Sequence, residues 1–133
     1  MVMMWKEEMM VLNKFDALVL DFDGVLADSV EVKTKAFALL YGYYGPEIVA
    51  KVVDHHRRNG GMARTEIFKH YHNAFLGQPL DESGLENLCN RFSQLVVDEV
   101  VEAEEIPGAG AFLSKSSRVV PCFVVSATPE EEI

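Results

Sequence analysis

Only two cysteines occur in the 133 residues, Cys89 and Cys122, and they sit far apart without metal-ligand spacing. That excludes a disulfide framework and a cysteine-held zinc site, so both read as buried thiols in a reducing cytoplasm. Positive charge is also scarce, with 12 Lys and Arg against 21 Asp and Glu, a formal net charge of −9. A chain with no basic face is a poor match for a phosphate backbone, which excludes nucleic acid as the expected ligand. Long apolar runs are missing too, so no membrane-spanning segment is expected. The Met-rich start "MVMMWKEEMMVLNKF" is broken by Lys6, Glu7 and Glu8 and lacks a small-residue cleavage site, and so does not read as a targeting peptide. It reads as an extension over residues 1–14, upstream of a domain that begins near Phe15. There is no internal repeat, and the one biased tract is the terminal "EEEI".

What is present suits a soluble globular chain. Hydrophobic residues make up 49% and charged residues 25%, enough for one domain or for a small core with an insertion. Ala17 to Leu20 is a continuous apolar run bounded by polar residues. It fits a strand buried on both faces, as in a parallel sheet. Helical periodicity follows. Asp28 and Glu31 form a capping-box pattern ahead of Val32, Ala36, Phe37, Leu39, Leu40 and Tyr44. Pro46 opens a second helix with the stripe Ile48, Val49, Val52 and Val53, and Gly60-Gly61 closes it. A third helix is predicted from about Thr65 to Leu76, with Gly77 as its stop. A fourth runs from the capping box of Ser83 and Glu86 to about Glu104.

Pro107 and Gly108 mark a boundary, Gly110 to Lys115 suggest a short helix, and "VVPCFVVS" from Val119 reads as a second buried strand. The predicted class is α/β. A partial doubly wound, Rossmann-like parallel core comprises residues 15–27 and 106–133, with a four-helix cap over 28–105 and the C-terminal half of the core missing.

Both strands end in polar punctuation, "DFDG" and "SATP". Ligands of open parallel sheets bind beyond the carboxyl ends of the strands, so neighbouring strands would gather Asp21, Asp23 and Ser126 in one crevice. Two carboxylates and a hydroxyl suit a hard cation and a phosphoryl group. Carboxylate oxygens hold Mg²⁺, and one carboxylate can attack phosphorus. An Asp-Gly pair after a strand is also a common turn. The apolar strand before it and the helix start at "ADS" after it favour the site.

"LVLDFDGVLADS" resembles the first signature of the haloacid dehalogenase (HAD) superfamily of phosphohydrolases, and "FVVSATP" resembles its second. The resemblance implies a Mg²⁺-dependent phosphatase of a small phosphorylated metabolite, with sugar phosphomutase chemistry as the alternative. Asp21 would be the nucleophile that forms an aspartyl-phosphate, and Asp23 the general acid and then base. Mg²⁺ would be held by the Asp21 carboxylate and the Asp23 backbone carbonyl, while Ser126, Ala127 and Gly24 would bind phosphoryl oxygens. Asp28 and Ser29 would form the cap hinge.

The family's third signature, a Lys or Arg, and its acidic fourth would follow Ser126, and residues 127–133 hold no Lys or Arg. The chain therefore reads as an incomplete HAD core, and a catalytically deficient binding or oligomerising module is the contrasting expectation. Its open sheet edge would allow a homo-oligomer. Within the cap, Arg64 is the candidate substrate reader. His55, His56, Arg57 and Arg58 read rather as a solvated helix end, and adjacent histidines on a helix point apart and do not share a metal. Tyr41, Tyr43 and Tyr44 are expected to pack the cap.

Overall fold

The computed structural model describes residues 10–130, so most of the N-terminal extension and of the acidic tail lies outside the described residues. The described residues are α-rich, 60% helical, with a small two-strand parallel sheet, a partial α/β fold. The elements are β1 (Leu18–Leu20), α1 (Val30–Tyr41), α2 (Pro46–Arg58), α3 (Arg64–His70), α4 (Glu82–Val101), α5 (Ala109–Ser116) and β2 (Cys122–Val124). A 3₁₀ turn, Gly42–Tyr44, follows α1, and a π-helical segment, Tyr71–Leu76, follows α3. Of the described residues, 10–28 and 104–126 form one compact unit, and 29–103 and 127–130 form the other. No helix among the described residues is long and apolar enough to cross a membrane.

The helical unit is built on aromatic side chains placed at helical spacing. Phe37 and Tyr41 lie four residues apart on α1 and therefore on one face. Both are 1% exposed. The Phe37 ring meets Phe92 at 4.4 Å, His56 at 4.8 Å, Phe68 at 5.3 Å and Tyr71 at 5.9 Å. Such pairs add about 0.5–1.5 kcal/mol each beyond the area they bury. α1 packs on α2 and α4, and α3 packs on α4. Val52 on α2, Ile67 and Phe68 on α3, and Val96 and Val100 on α4 complete this core.

Polar groups in this core are paired, with one exception. The Thr34 hydroxyl donates to the Val30 carbonyl at 2.9 Å and meets His56 Nδ1 at 2.8 Å. Since the hydroxyl has one proton, His56 Nδ1 must carry the proton of the second bond. The Tyr71 hydroxyl donates to the Val52 carbonyl at 3.1 Å. The Tyr41 hydroxyl is buried without a hydrogen-bond partner among the described residues, and a buried hydroxyl left unpaired costs about 1–3 kcal/mol.

Several helix ends differ from the sequence expectation. α1 starts after Ser29, not through an Asp28–Glu31 box, and no side chain caps it. Glu31 instead takes a bidentate bond from Arg57 of α2, with both N···O distances 3.0 Å. The N-cap of α4 is Asp81, whose carboxylate accepts from the Gly84 N–H at 2.7 Å, and not Ser83. Helix starts with several small polar residues in a row allow either register, and the tertiary packing of Phe92 and Val96 selects one. The third helix is interrupted at Tyr71, where the hydrogen bonding widens to the π pattern before Gly77 ends it at φ 62°.

The sheet unit is thinner than expected. Each strand has only three residues, and neither is buried on both faces: Val19 is 65% exposed and Phe123 55%, while Leu18 and Leu20 are half-buried. One face of the two-stranded ladder is open among the described residues, so alternate side chains point to solvent. Cys122 and Cys89 are half-buried and not the fully buried thiols expected, because Cys122 lies on this thin sheet and Cys89 on the flank of α4.

Candidate functional site

Parallel pairing decides where the polar ends of the two strands go. Leu18 lies opposite Cys122, Val19 opposite Phe123 and Leu20 opposite Val124. The Leu18 N–H donates to the Pro121 carbonyl at 2.8 Å, and the Val125 N–H to the Leu20 carbonyl at 2.9 Å. The ladder therefore closes immediately before Asp21 on one strand and Ser126 on the other. Both residues leave the same end of the sheet, the carboxyl end where ligands of parallel sheets bind.

After Asp21 the chain turns tightly upon itself. The Phe22 carbonyl accepts from the N–H groups of Val25 (3.3 Å), Leu26 (2.9 Å) and Ala27 (3.1 Å), and the Gly24 N–H donates to the Ala27 carbonyl at 2.8 Å. Gly24 has φ 73°, in the left-handed region that disfavours a side chain by about 1–2 kcal/mol. The glycine of "DFDG" is thus what lets Asp23 sit in a turn just past the strand end. The turn is tied down next door: the Asp28 N–H donates to the Glu104 carbonyl at 2.8 Å, and the Ile106 N–H to the Leu26 carbonyl at 2.9 Å. The chain leaves this unit after Asp28 and returns at Glu104, so its two crossings run side by side.

Asp21 is exposed, and its Oδ1 accepts from the Phe22 N–H at 2.7 Å. That charge-assisted bond orients the carboxylate, and the second oxygen makes no hydrogen bond among the described residues. Asp23 is half-buried and bridged to Ala27 through the backbone, Gly24 is exposed, and Ser126 is half-buried. These four belong to the sheet unit, whereas Ala127, exposed, and Arg64 are counted with the helical one. Among the described residues no three His, Cys, Asp or Glu side chains gather as a metal-ligand group. Mg²⁺ asks for less, since one or two carboxylates with water, carbonyl oxygens and substrate phosphate complete its shell, and the Asp21 carboxylate and Asp23 backbone carbonyl are oxygen donors of that kind.

Arg64 is held inside the helical unit. Its Nη1 donates to Ser93 Oγ at 2.8 Å, and its guanidinium lies 4.7 Å over the Phe92 ring. The basic end of α2 divides its tasks. Arg57 pairs with Glu31 and Arg58 with Asp54. The Arg57 hydrogen bond holds the Glu31 carboxyl below its ordinary value. His55 and His56 point apart: His56 enters the core, while His55 stacks on His70 at 4.4 Å and meets the Tyr71 hydroxyl at 3.3 Å. Burial, and then His70, holds His55 below the usual histidine range. Of the three tyrosines expected to pack, Tyr41 does so, but Tyr43 is 95% exposed. Tyr43 lies in the 3₁₀ turn, outside the helical register that carries Phe37 and Tyr41 inward.

Sequence reasoning missed Lys33. It is 8% exposed, and its Nζ donates to Thr128 Oγ1 at 2.6 Å, ordering the segment that follows Ser126. The signal lay in its position, four residues before Phe37 and eight before Tyr41, on the inward face of α1. No known protein-family model and no curated protein matches the chain.

Proposed function

We propose that this chain carries the phosphoryl-transfer site of a Mg²⁺-dependent phosphatase of the HAD type, acting on a small phosphorylated metabolite. The observation that carries the reading is the parallel register of β1 and β2, which sends Asp21 and Ser126 out of one sheet end. In this reading the strands belong to a doubly wound core, and the inserted helices are its cap. Asp21 and Asp23 would hold Mg²⁺, which when bound offsets the charge of the phosphoryl group. Ser126, with the N–H groups of Gly24 and Ala127, binds the phosphoryl oxygens.

The chain's own groups divide the chemistry into two displacements. The Asp21 carboxylate attacks phosphorus and the bond to the leaving oxygen breaks, while Asp23 gives that oxygen its proton. Asp23 then takes a proton from water, which attacks the phosphorus of the aspartyl-phosphate, releasing inorganic phosphate and restoring Asp21. An exposed carboxylate already oriented by the Phe22 N–H suits attack on an incoming phosphate, because little reorganisation is left to the reacting group.

The test is Mg²⁺-dependent release of p-nitrophenolate from p-nitrophenyl phosphate by the full chain, beside the Asp21→Asn variant. Turnover that disappears in the variant is the expected result. Turnover that survives the substitution, or none in the parent chain, overturns the reading and leaves a binding or oligomerising module. With a sugar phosphate as substrate, free phosphate identifies a hydrolase and an isomeric sugar phosphate a mutase.

A further inference from the structure

The sheet unit leaves one apolar face open among the described residues. Val19 and Phe123 stand opposite each other in the parallel register and so point to the same side, and both are more than half exposed. Val125, two residues beyond Phe123, continues that side and is exposed as well. The opposite side carries Leu18 and Leu20, which are half-buried, and Leu20 shares the wall of an apolar hollow with Phe112 of α5. α5 therefore takes one side of the ladder. Parallel sheets are ordinarily covered on both.

The chain holds a segment suited to the second side, just ahead of β1. Residues 10–12 form a helical turn, closed by bonds from the Lys14 N–H to the Val11 carbonyl at 3.1 Å and from the Phe15 N–H to the Leu12 carbonyl at 3.0 Å. Within it Leu12 is half-buried, whereas Met10 and Val11 are exposed. Residues 1–9 lie outside the described residues, and their sequence continues the pattern. Counting back from Leu12, helical spacing puts Met9, Trp5 and Val2 on the same face, with Glu7 opposite and Lys6 and Glu8 at the margins. A helix over residues 2–12 would be about 16 Å long, more than the roughly 10 Å of a three-residue strand.

The connection decides which surface such a helix meets. Only residues 13–17 separate it from β1, and elements joined by so short a loop are ordinarily adjacent in space. A tethered segment also faces its target at an effective concentration in the millimolar range, far above that of a second copy in dilute solution. We propose that residues 1–9 extend the turn at 10–12 into an amphipathic helix that covers the open face, with Trp5 and Met9 laid against Val19, Phe123 and Val125. The occupant is this chain's own N-terminal segment. The inference does not rest on the phosphatase reading.

Trp5 is the only tryptophan in the chain, so its fluorescence reads the contact directly. In the full chain its emission should be blue-shifted, and its quenching by acrylamide about threefold or more weaker, relative to N-acetyltryptophanamide. Met9→Asp, on the inner face of the helix, should restore the emission and quenching of the free indole, because a carboxylate resists burial against apolar side chains. Val19→Asp, at an exposed position of the sheet, should do the same from the other side of the contact. Met3→Asp, on the outer face, should change neither. Free quenching of Trp5 in the parent chain, an unchanged signal in Met9→Asp or Val19→Asp, or equal release by Met3→Asp overturns the proposal. Trp5 emission that shifts with protein concentration would identify a second copy as the occupant and overturn it as well.

Discussion

In the helical unit Phe37 has four rings within 5.9 Å, whereas in the sheet unit the two three-residue strands leave Val19 and Phe123 more than half exposed. One unit holds its shape by interlocked side chains. The other sets its strand ends with directional backbone bonds: the ladder, the three N–H groups on the Phe22 carbonyl, and the Asp28–Glu104 pairing. A group that must meet substrate cannot sit in a packed core. Directional backbone bonds can fix an exposed carboxylate where burial cannot, and this is the economy of placing the candidate chemistry on the thin unit.

The largest effect that would sharpen this contrast is chemical. Asp21→Asn should lower p-nitrophenyl phosphate turnover about 10³-fold or more, because the neutral amide cannot serve as nucleophile. Its melting temperature should match the parent, since Asp21 is exposed and, among the described residues, bonded only to its own neighbour. A large drop in melting temperature would mean that the residue is structural, and the contrast would fail.

Next in size are two phenylalanines. Phe37→Ala should cost about 3–5 kcal/mol in urea unfolding followed by circular dichroism, for the lost contacts and the cavity left behind. Phe123→Ala, at a site 55% exposed, should cost less than about 0.5 kcal/mol. Equal losses would show the sheet to be as tightly packed as the helices. Smaller again is Asp81→Ala, which removes the cap on the Gly84 N–H and should cost about 1 kcal/mol in the same measurement.

The smallest expected effect depends on pH. His55 titrates below its ordinary value because burial, and then His70, opposes its charge. The folded chain thus binds this proton less readily than the unfolded chain. The stability present at and above about pH 6.5, the ordinary histidine value, is lost as pH falls through the lower folded value. Melting temperatures of His55→Gln between about pH 7 and 5 should decline less steeply than those of the parent. Parallel curves would remove His55 as the titrating group.

Much of the helical unit was legible because its signal repeats. Phe37 and Val52 were readable as inward positions from spacing alone, and each is buried. Pro46 and Gly77 were readable as a helix start and stop, since one lacks an N–H and the other tolerates φ 62°. The caps at Ser29 and Asp81 were not, because neighbouring polar residues offer nearly equal local partners and packing chooses among them. Lys33 was missed for a related reason. A lysine is read as exposed until the inward register of its helix and a partner 95 residues away are known.

The sequence by itself determined where the apolar runs lie, that they end in "DFDG" and "SATP", and that Gly24 follows the second aspartate. These depend on a few adjacent residues and their backbone preferences. The tertiary structure alone decided that the two strands pair in parallel with Leu20 opposite Val124, so that Asp21 and Ser126 share one sheet end. Among the described residues it also leaves one face of that sheet open and the Tyr41 hydroxyl without a partner. Register between strands a hundred residues apart is set by hydrogen bonds and side-chain fit that no local pattern encodes.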